Sequence, residues 1–292
     1  MVTNVVTGKT KICGLIGDPI EHTVSPAMHN AAFKALGLDF LYLPFQVKSA
    51  DLGKAVGGLR ALNITGVNVT IPHKVAVIPL LDALDPLAER IGAVNTIVNK
   101  EGQLTGSNTD AEGFIKALQE HGVAPKDKNT IVLGAGGAAR AAAYALAGQG
   151  ARLTILNRRL ELDWARTLAR KLEKDFPQKV RVLELDEKNL EKALGEAELL
   201  VNATSVGMSP NREATPVPAR LLRGGLTVFD IVYNPIKTRL LAEAEAAGAR
   251  TIGGVEMLVW QGALAFEKWT GQKAPLDLMR REAVKALEGY ED

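Results

Sequence analysis

Thr130-Ile131-Val132-Leu133-Gly134-Ala135-Gly136-Gly137-Ala138-Ala139-Arg140 is the stretch whose reading decides the fold. Ile131 to Leu133 is a short apolar run of the kind that forms a buried strand. A glycine-rich turn follows at once. An alanine-rich run, Ala138 to Ala147, then reads as a helix. Strand, tight glycine turn and helix in immediate succession form the phosphate-binding start of a dinucleotide fold. Gly134 permits the turn, and Gly136 lets the backbone approach a pyrophosphate. The helix N-terminus supplies N–H groups and a partial positive charge. Ala135, Gly137 and Ala138 complete the candidate cofactor loop. Taken alone, the same residues also fit a small-residue helix packed on a strand.

Arg152 to Asn157 reads as a second strand, ending about 20 residues beyond the glycine turn. A protein that binds NAD places Asp or Glu at this strand end, on the ribose hydroxyls, where a carboxylate repels a 2′-phosphate. This chain has Asn157-Arg158-Arg159 instead. Asparagine bonds the ribose without charge. Arg158 is able to grip a phosphate in a bidentate fork and to lie flat on adenine. Coupled to the glycine turn, the triplet favours NADP over NAD. By itself it is a solvated arginine pair.

Strands and helices alternate outward from this centre. Strands are predicted at Lys11–Ile16, Leu41–Val47, Gly66–Ile71 and Val94–Asn99. Helices are predicted at Ser25–Leu36, Asp51–Leu62, Lys74–Asp82 and Asp110–His121. Ser25 reads as a helix N-cap, with Pro26 at the first helical position. Beyond Asn157 come a helix at Glu161–Asp175, a strand at Val180–Glu184, a helix at Asn189–Leu194, and strands at Leu199–Ala203 and Thr227–Asp230. A helix near Thr238–Ala247 and a strand at Arg250–Ile252 precede a mostly helical tail. The alternation predicts an α/β protein with parallel sheets and helices on both faces. Its 292 residues suffice for two cores. We expect a substrate-binding domain of residues 1–109 and 255–292 with a mostly parallel sheet. A Rossmann-type domain of residues 110–254 would follow, with a cleft between the two.

The sequence is 47% hydrophobic and 23% charged with a net charge of +2, which predicts neither a nucleic-acid nor a membrane partner. Its single cysteine, Cys13, sits in an apolar run and reads as a core residue. It allows no intrachain disulfide and points to a reducing compartment, the cytoplasm. The N-terminus lacks the apolar stretch of a signal peptide, and no run reaches membrane-spanning length. No metal-ligand spacing is present.

Polar clusters mark the expected strand ends of the first half, where open α/β sheets place ligands. Thr23 and Ser25 put two hydroxyls in the loop after the first strand. Asn68 and Thr70 alternate with Val67, Val69 and Ile71 and point to one face. Lys74 follows, and alone it would read as a solvated helix residue. Asn95, and Asp110 after Ser107-Asn108-Thr109, add an amide and a carboxylate. Asp110 reads equally well as a helix cap.

Seven blocks in one order resemble the shikimate dehydrogenase family. Gly17-Asp18-Pro19-Ile20 with His22, Ser25-Pro26 and His29-Asn30 resembles its N-terminal signature, and Asn68-Val69-Thr70-Ile71-Pro72-His73-Lys74 its N-V-T-x-P-x-K segment. Gly92–Thr96, Asn108-Thr109-Asp110, Asn202–Ser205, Asp230–Tyr233 and Gly253–Gln261 follow. The resemblance implies NADPH-dependent, reversible reduction of 3-dehydroshikimate to shikimate, a step in aromatic amino-acid biosynthesis. It implies that Lys74 and Asp110 are catalytic. Thr23, Ser25, Asn68, Thr70, Asn95, Tyr233 and Gln261 would then hold substrate. Thr204, Ser205, Ile231, Gly254 and Met257 would join the glycine turn and Asn157-Arg158-Arg159 in holding NADP. No metal is implied, and the chain would act as a monomer or homodimer. The family's usual Ser-x-Ser is Thr23-Val24-Ser25 here, which keeps a quinate/shikimate dehydrogenase using NAD or NADP as an alternative. A non-catalytic dinucleotide-binding sensor is the alternative from another class. Retention of both Lys74 and Asp110 speaks against it.

Overall fold

A computed structural model describes residues 6–289. The chain divides into two compact units, one made of the residues up to Thr109 and those from Val259 onward, the other of Asp110–Leu258.

The first unit opens with β1 (Lys11–Gly17), α1 (Ser25–Ala35), β2 (Phe40–Gln46), α2 (Leu52–Ala61) and β3 (Gly66–Val69). Then come a single turn α3 (His73–Ala76), β4 (Ala83–Leu84), α4 (Pro86–Ile91), β5 (Thr96–Lys100) and β6 (Gln103–Ser107). The expected helix over Lys74–Asp82 does not form. Pro79 has no N–H to donate, so the chain passes into a 3-10 turn at Ile78–Leu80 and then into β4. The sheet order is β2-β1-β3-β5-β6-β4. β1 pairs in parallel with β2 and β3, whereas β5 runs antiparallel to both β3 and β6. With β4 also parallel to β6, the sheet is mostly parallel, as expected, and the antiparallel β5 makes it mixed. The β5–β6 hairpin escaped the sequence reading because its turn places Glu101, at φ 54°, and Gly102, at φ 85°, in the left-handed region. Asn-Gly or Asp-Gly is the usual signal for such a turn. Strand β3 also ends two residues before the expected Ile71. The Thr70 N–H still donates to Ile16 O at 3.0 Å.

The second unit contains α5 (Thr109–Glu120, its first residue in the first unit), β7 (Asn129–Leu133), α6 (Gly137–Gly148), β8 (Arg152–Asn157), α7 (Leu162–Asp175) and β9 (Arg181–Glu184). It continues with α8 (Glu187–Glu196), β10 (Leu199–Asn202), β11 (Thr227–Asp230), α9 (Arg239–Ala246), β12 (Arg250–Ile252) and the start of α10 (Gly254–Thr270). Its sheet, β12-β11-β10-β7-β8-β9, is parallel at every pairing. The strand order reverses beside β7, so the topological switch point lies between β7 and β10. The glycine turn leaves β7 at this point. α6 buries Ala139, Ala141, Ala142, Ala143 and Ala147, small side chains that let it lie close to the sheet, together with Tyr144 and Leu146.

From Val259 the chain returns to the first unit, where α11 (Leu276–Glu288) packs on α1. Cys13 is fully buried in β1, and burial pushes its thiol pKa up, away from reactivity. Among the described residues no helix is long and apolar enough to cross a membrane.

Candidate active site

In the first unit the polar blocks gather at one end of the sheet. β1 and β3 are parallel, so the loop after β1 meets the end of β3, and the Asp18 N–H donates to Ile71 O at 2.9 Å. β5 runs the opposite way, so its beginning lies at that same end, with Thr96 in register with Asn68. Thr96 in turn pairs with Ser107 at the end of β6. Three stretches far apart in sequence thus converge because one hairpin reverses direction.

The convergence forms a connected network. Tyr42 Oη donates to Asn68 Oδ1 at 2.8 Å, and Asn68 Nδ2 donates to Asn95 O and Thr96 Oγ1, each at 3.2 Å. Two acceptors on Nδ2 fix the amide's orientation, because a flip would set two oxygens against each other. Asn95 Oδ1 accepts from the Thr109 N–H at 2.7 Å, while its Nδ2 donates to Thr109 Oγ1 at 2.9 Å and to Gln261 Oε1 at 3.2 Å. Gln261 arrives from α10, so the network joins the start and the end of the chain within one unit. Asn68 and Asn95 are buried. Sequence reasoning missed Tyr42, Thr96 and Thr109, which orient these amides.

Thr23 Oγ1 accepts from the Ser25 N–H at 3.4 Å, which sets the two hydroxyl residues of the first loop against each other. Ser25 is not the helix N-cap that the sequence suggested. Val24 occupies that position, and no side chain caps α1. Pro26 at the second helical position satisfies the same steric logic one residue later. Thr70 lies one residue past β3. Lys74 stands on the short α3, which is tied at two points. His73 Nε2–H donates to Val47 O at 2.6 Å, and Lys74 O accepts from the Val94 N–H at 2.7 Å. The buried His73 is thus the anchor of the lysine-bearing turn, a role its sequence context did not disclose.

In the second unit, Asp110 is buried in the first turn of α5, which begins at Thr109 rather than at Asp110 itself. Gly134 has φ +100°, closed to most side chains, and a Cβ there would press on Ala203 O at 3.1 Å. The glycine turn therefore lies against the loop after β10, which carries Thr204 and Ser205. At Gly136, the N-cap of α6, a Cβ would enter open space, and no side chain caps the helix. An uncapped helix start beside an open hollow is a cradle of the kind a pyrophosphate fills, so the turn fits a dinucleotide. Ala135 follows Gly134 in this turn and is buried, and Gly137 and Ala138 open α6.

Asn157 is buried and donates through Nδ2 to Glu161 O at 2.8 Å. Arg158 is exposed, but its fork is engaged by Glu161, with Nη2 to Oε1 at 2.6 Å and Nε to Oε2 at 3.3 Å. A carboxylate thus stands beside the arginine read as a 2′-phosphate ligand, one turn further along than the sequence rule inspects. Arg159 is exposed and opens a 3-10 turn.

The loops after β10 and β11 share a buried hub. Asp230 Oδ1 accepts from Asn202 Nδ2 at 2.9 Å and the Val232 N–H at 3.1 Å, and Oδ2 accepts from Thr238 Oγ1 at 2.6 Å. Asn202 Oδ1 accepts in turn from the Thr204 N–H at 3.1 Å and Thr204 Oγ1 at 2.7 Å. Thr204 and Ile231 are positioned through this hub, the Ile231 N–H donating to Asn202 O at 2.9 Å, and Tyr233 follows Val232 in the same loop. Burial raises the Asp230 carboxyl to about 6 against the lowering effect of its hydrogen bonds. Gly254 starts α10 so close to this loop that a side chain would strike Ile231 O, and Met257 lies buried one turn on. Among the described residues no group of His, Cys, Asp or Glu side chains has a metal-binding arrangement.

A parallel sheet with a glycine turn at its switch point, joined to a second α/β unit with polar strand ends, defines a two-unit protein of the dinucleotide-dependent dehydrogenase class. Three family models match the chain: the shikimate dehydrogenase substrate binding domain over residues 15–97, shikimate / quinate 5-dehydrogenase over 116–220, and the shikimate 5'-dehydrogenase C-terminal domain over 254–284. A shikimate dehydrogenase (NADP(+)) of Dehalococcoides mccartyi is 51% identical over 278 residues, 95% of this chain and 96% of its own length. A crystal structure of a shikimate dehydrogenase in complex with NADP+ shares 41% identity at a TM-score of 0.90, covering 97% of this chain and 98% of that one. The Thermus thermophilus shikimate 5-dehydrogenase, solved with NADP(H) and shikimate, shares 40% identity at a TM-score of 0.85, covering 94% and 99%. The chain belongs to the shikimate dehydrogenase family.

Proposed function

We propose that this chain catalyses the reversible, NADPH-dependent reduction of 3-dehydroshikimate to shikimate. One observation carries the reading: Asn68, Thr70, Asn95 and Gln261 converge at one sheet end, with Lys74 on an anchored turn, in a chain that also carries the glycine cradle. Bound NADPH supplies the hydride. The protein's task is to hold a small polyhydroxylated acid and manage one proton. As the carbonyl carbon is reduced, negative charge grows on its oxygen. The Lys74 ammonium stabilises that charge and delivers the proton, then regains one from water. Asp110 is the carboxylate that the family pattern sets on the same hydroxyl. Thr23, Ser25 and Tyr233 hold the substrate carboxylate, and Asn68, Thr70, Asn95 and Gln261 the ring hydroxyls. In Asn68, both Nδ2 hydrogens are committed within the protein, so it meets a hydroxyl as an acceptor through Oδ1. Gln261 accepts from Asn95 through Oε1, so it meets one as a donor through Nε2.

Asn157, Arg158 and Arg159 hold the adenosine end of NADP, with Gly134 to Ala138 on the pyrophosphate. Thr204, Ser205, Ile231, Gly254 and Met257 complete the cofactor contacts. The partners in this reading are small molecules, and the enzyme works in the cytoplasm as a monomer or homodimer. A second reading, oxidation of quinate, is favoured by Thr23, whose methyl group reshapes the carboxylate loop. Steady-state turnover with shikimate and NADP, beside quinate and NAD, tests both. A preference for quinate with NAD overturns the first reading, and no turnover with either pair leaves only a binding protein.

A further inference from the structure

Arg140 is placed where a lone cation is unfavourable. It is the fourth residue of α6, so its charge lies at the helix end that already carries partial positive charge. Its side chain is half-buried, and Nε is fully enclosed with no hydrogen-bond partner. Among the described residues no carboxylate pairs with it, and burial alone pulls its pKa down. Its neighbours one turn back are Gly136 and Gly137, which have no side chains. Helical side chains lean toward the N-terminus, so Arg140 extends toward the turn that holds Gly136 and Gly137, where the space beside Gly136 is open. Arg158, by contrast, is neutralised by Glu161.

Cost without compensation at a ligand site is the mark of a residue whose partner is the ligand. We infer that Arg140 is a cofactor-binding residue whose guanidinium neutralises the dinucleotide's pyrophosphate at the glycine turn. The inference rests on the reading of that turn as the NADP site. It assigns a division of labour: Arg140 serves the part common to NADP and NAD, and Arg158 the 2′-phosphate that only NADP carries.

The test is calorimetric titration of the cofactor-free protein with NADP+, ADP-ribose and 2′-AMP, together with its melting temperature. ADP-ribose carries the pyrophosphate but no 2′-phosphate, and 2′-AMP the reverse. Arg140→Gln keeps the apolar stem and removes the charge. It should weaken NADP+ and ADP-ribose alike by roughly 10–100-fold, the worth of a charge-assisted contact. It should leave 2′-AMP binding unchanged and should not lower the cofactor-free Tm. Arg158→Gln should do the reverse, sparing ADP-ribose. Arg140→Lys should recover part of the loss. Wild-type affinity for ADP-ribose in Arg140→Gln overturns the inference. So does a loss confined to the 2′-phosphate ligands, or a lower Tm with unchanged affinity. If the wild-type protein itself fails to bind ADP-ribose, the glycine-turn reading falls first, and Arg140 with it.

Discussion

Replacing Asp230 by asparagine should stabilise the protein at pH 8, although Asp230 makes three hydrogen bonds. The carboxyl is fully buried and its pKa is raised from the ordinary 3.8 to about 6, chiefly by desolvation. Between these values the folded state binds the proton more tightly than the unfolded state. Stability from this group therefore falls as pH rises through that window, and the whole cost is present above about pH 7. Moving a carboxyl from 3.8 to about 6 corresponds to about 3 kcal/mol. The substituted amide would carry no charge. Its Oδ1 would still accept from Asn202 Nδ2 and the Val232 N–H, and its Nδ2 would donate to Thr238 Oγ1, as the protonated acid does. At pH 8 the substitution should add about 3 kcal/mol, or roughly 6–12 °C in Tm for a unit of this size. Below pH 4 it should add nothing. Because Thr204 stays bonded through Asn202, the KM for NADP should not change. Asp230→Ala, which strands three donors, should destabilise at every pH. Thermal melts from pH 4 to 8 with parallel kinetics decide the matter. A Tm for Asp230→Asn below wild type at pH 8 would refute the reasoning, since hydrogen bonding to the charge would then outweigh its desolvation.

Lys74→Ala should cut kcat by roughly 10²–10⁴-fold, the usual worth of a proton donor, with little change in KM for shikimate; a near wild-type kcat in steady-state assays removes Lys74 from the chemistry. Ser25→Ala should raise that KM by roughly 10–100-fold. Since Ser25 caps no helix, its Tm should match wild type, and a falling Tm with unchanged KM would make the residue structural. Glu161→Gln frees the Arg158 fork and removes a carboxylate from the 2′-phosphate's surroundings. NADP affinity should rise by roughly 2–5-fold, following the smaller worth of an exposed ion pair, while NAD affinity holds. Equal gains for both cofactors would place the 2′-phosphate elsewhere.

The glycine turn was legible because its determinants are local. A strand, a turn needing φ +100° at Gly134 and a small-residue helix all follow from contiguous residues. The six parallel strands of the second sheet follow from the same alternation. Candidate site residues were legible as types, since amides and hydroxyls at expected strand ends have few other reasons to be there. Their partners were not. Tyr42 reaches Asn68 across 26 residues and Gln261 reaches Asn95 across 166, and no spacing rule spans such separations. The β5–β6 reversal hinged on Glu101 accepting a left-handed conformation, which the pairing of the flanking strands enforces and the local sequence does not announce. The same holds for charge. The sequence supplied Arg158, Glu161, Asp230 and Arg140. Only the packed structure determines that the first two neutralise each other, that burial raises the third, and that the fourth is half-buried without a partner, because desolvation and pairing depend on which chain segments meet.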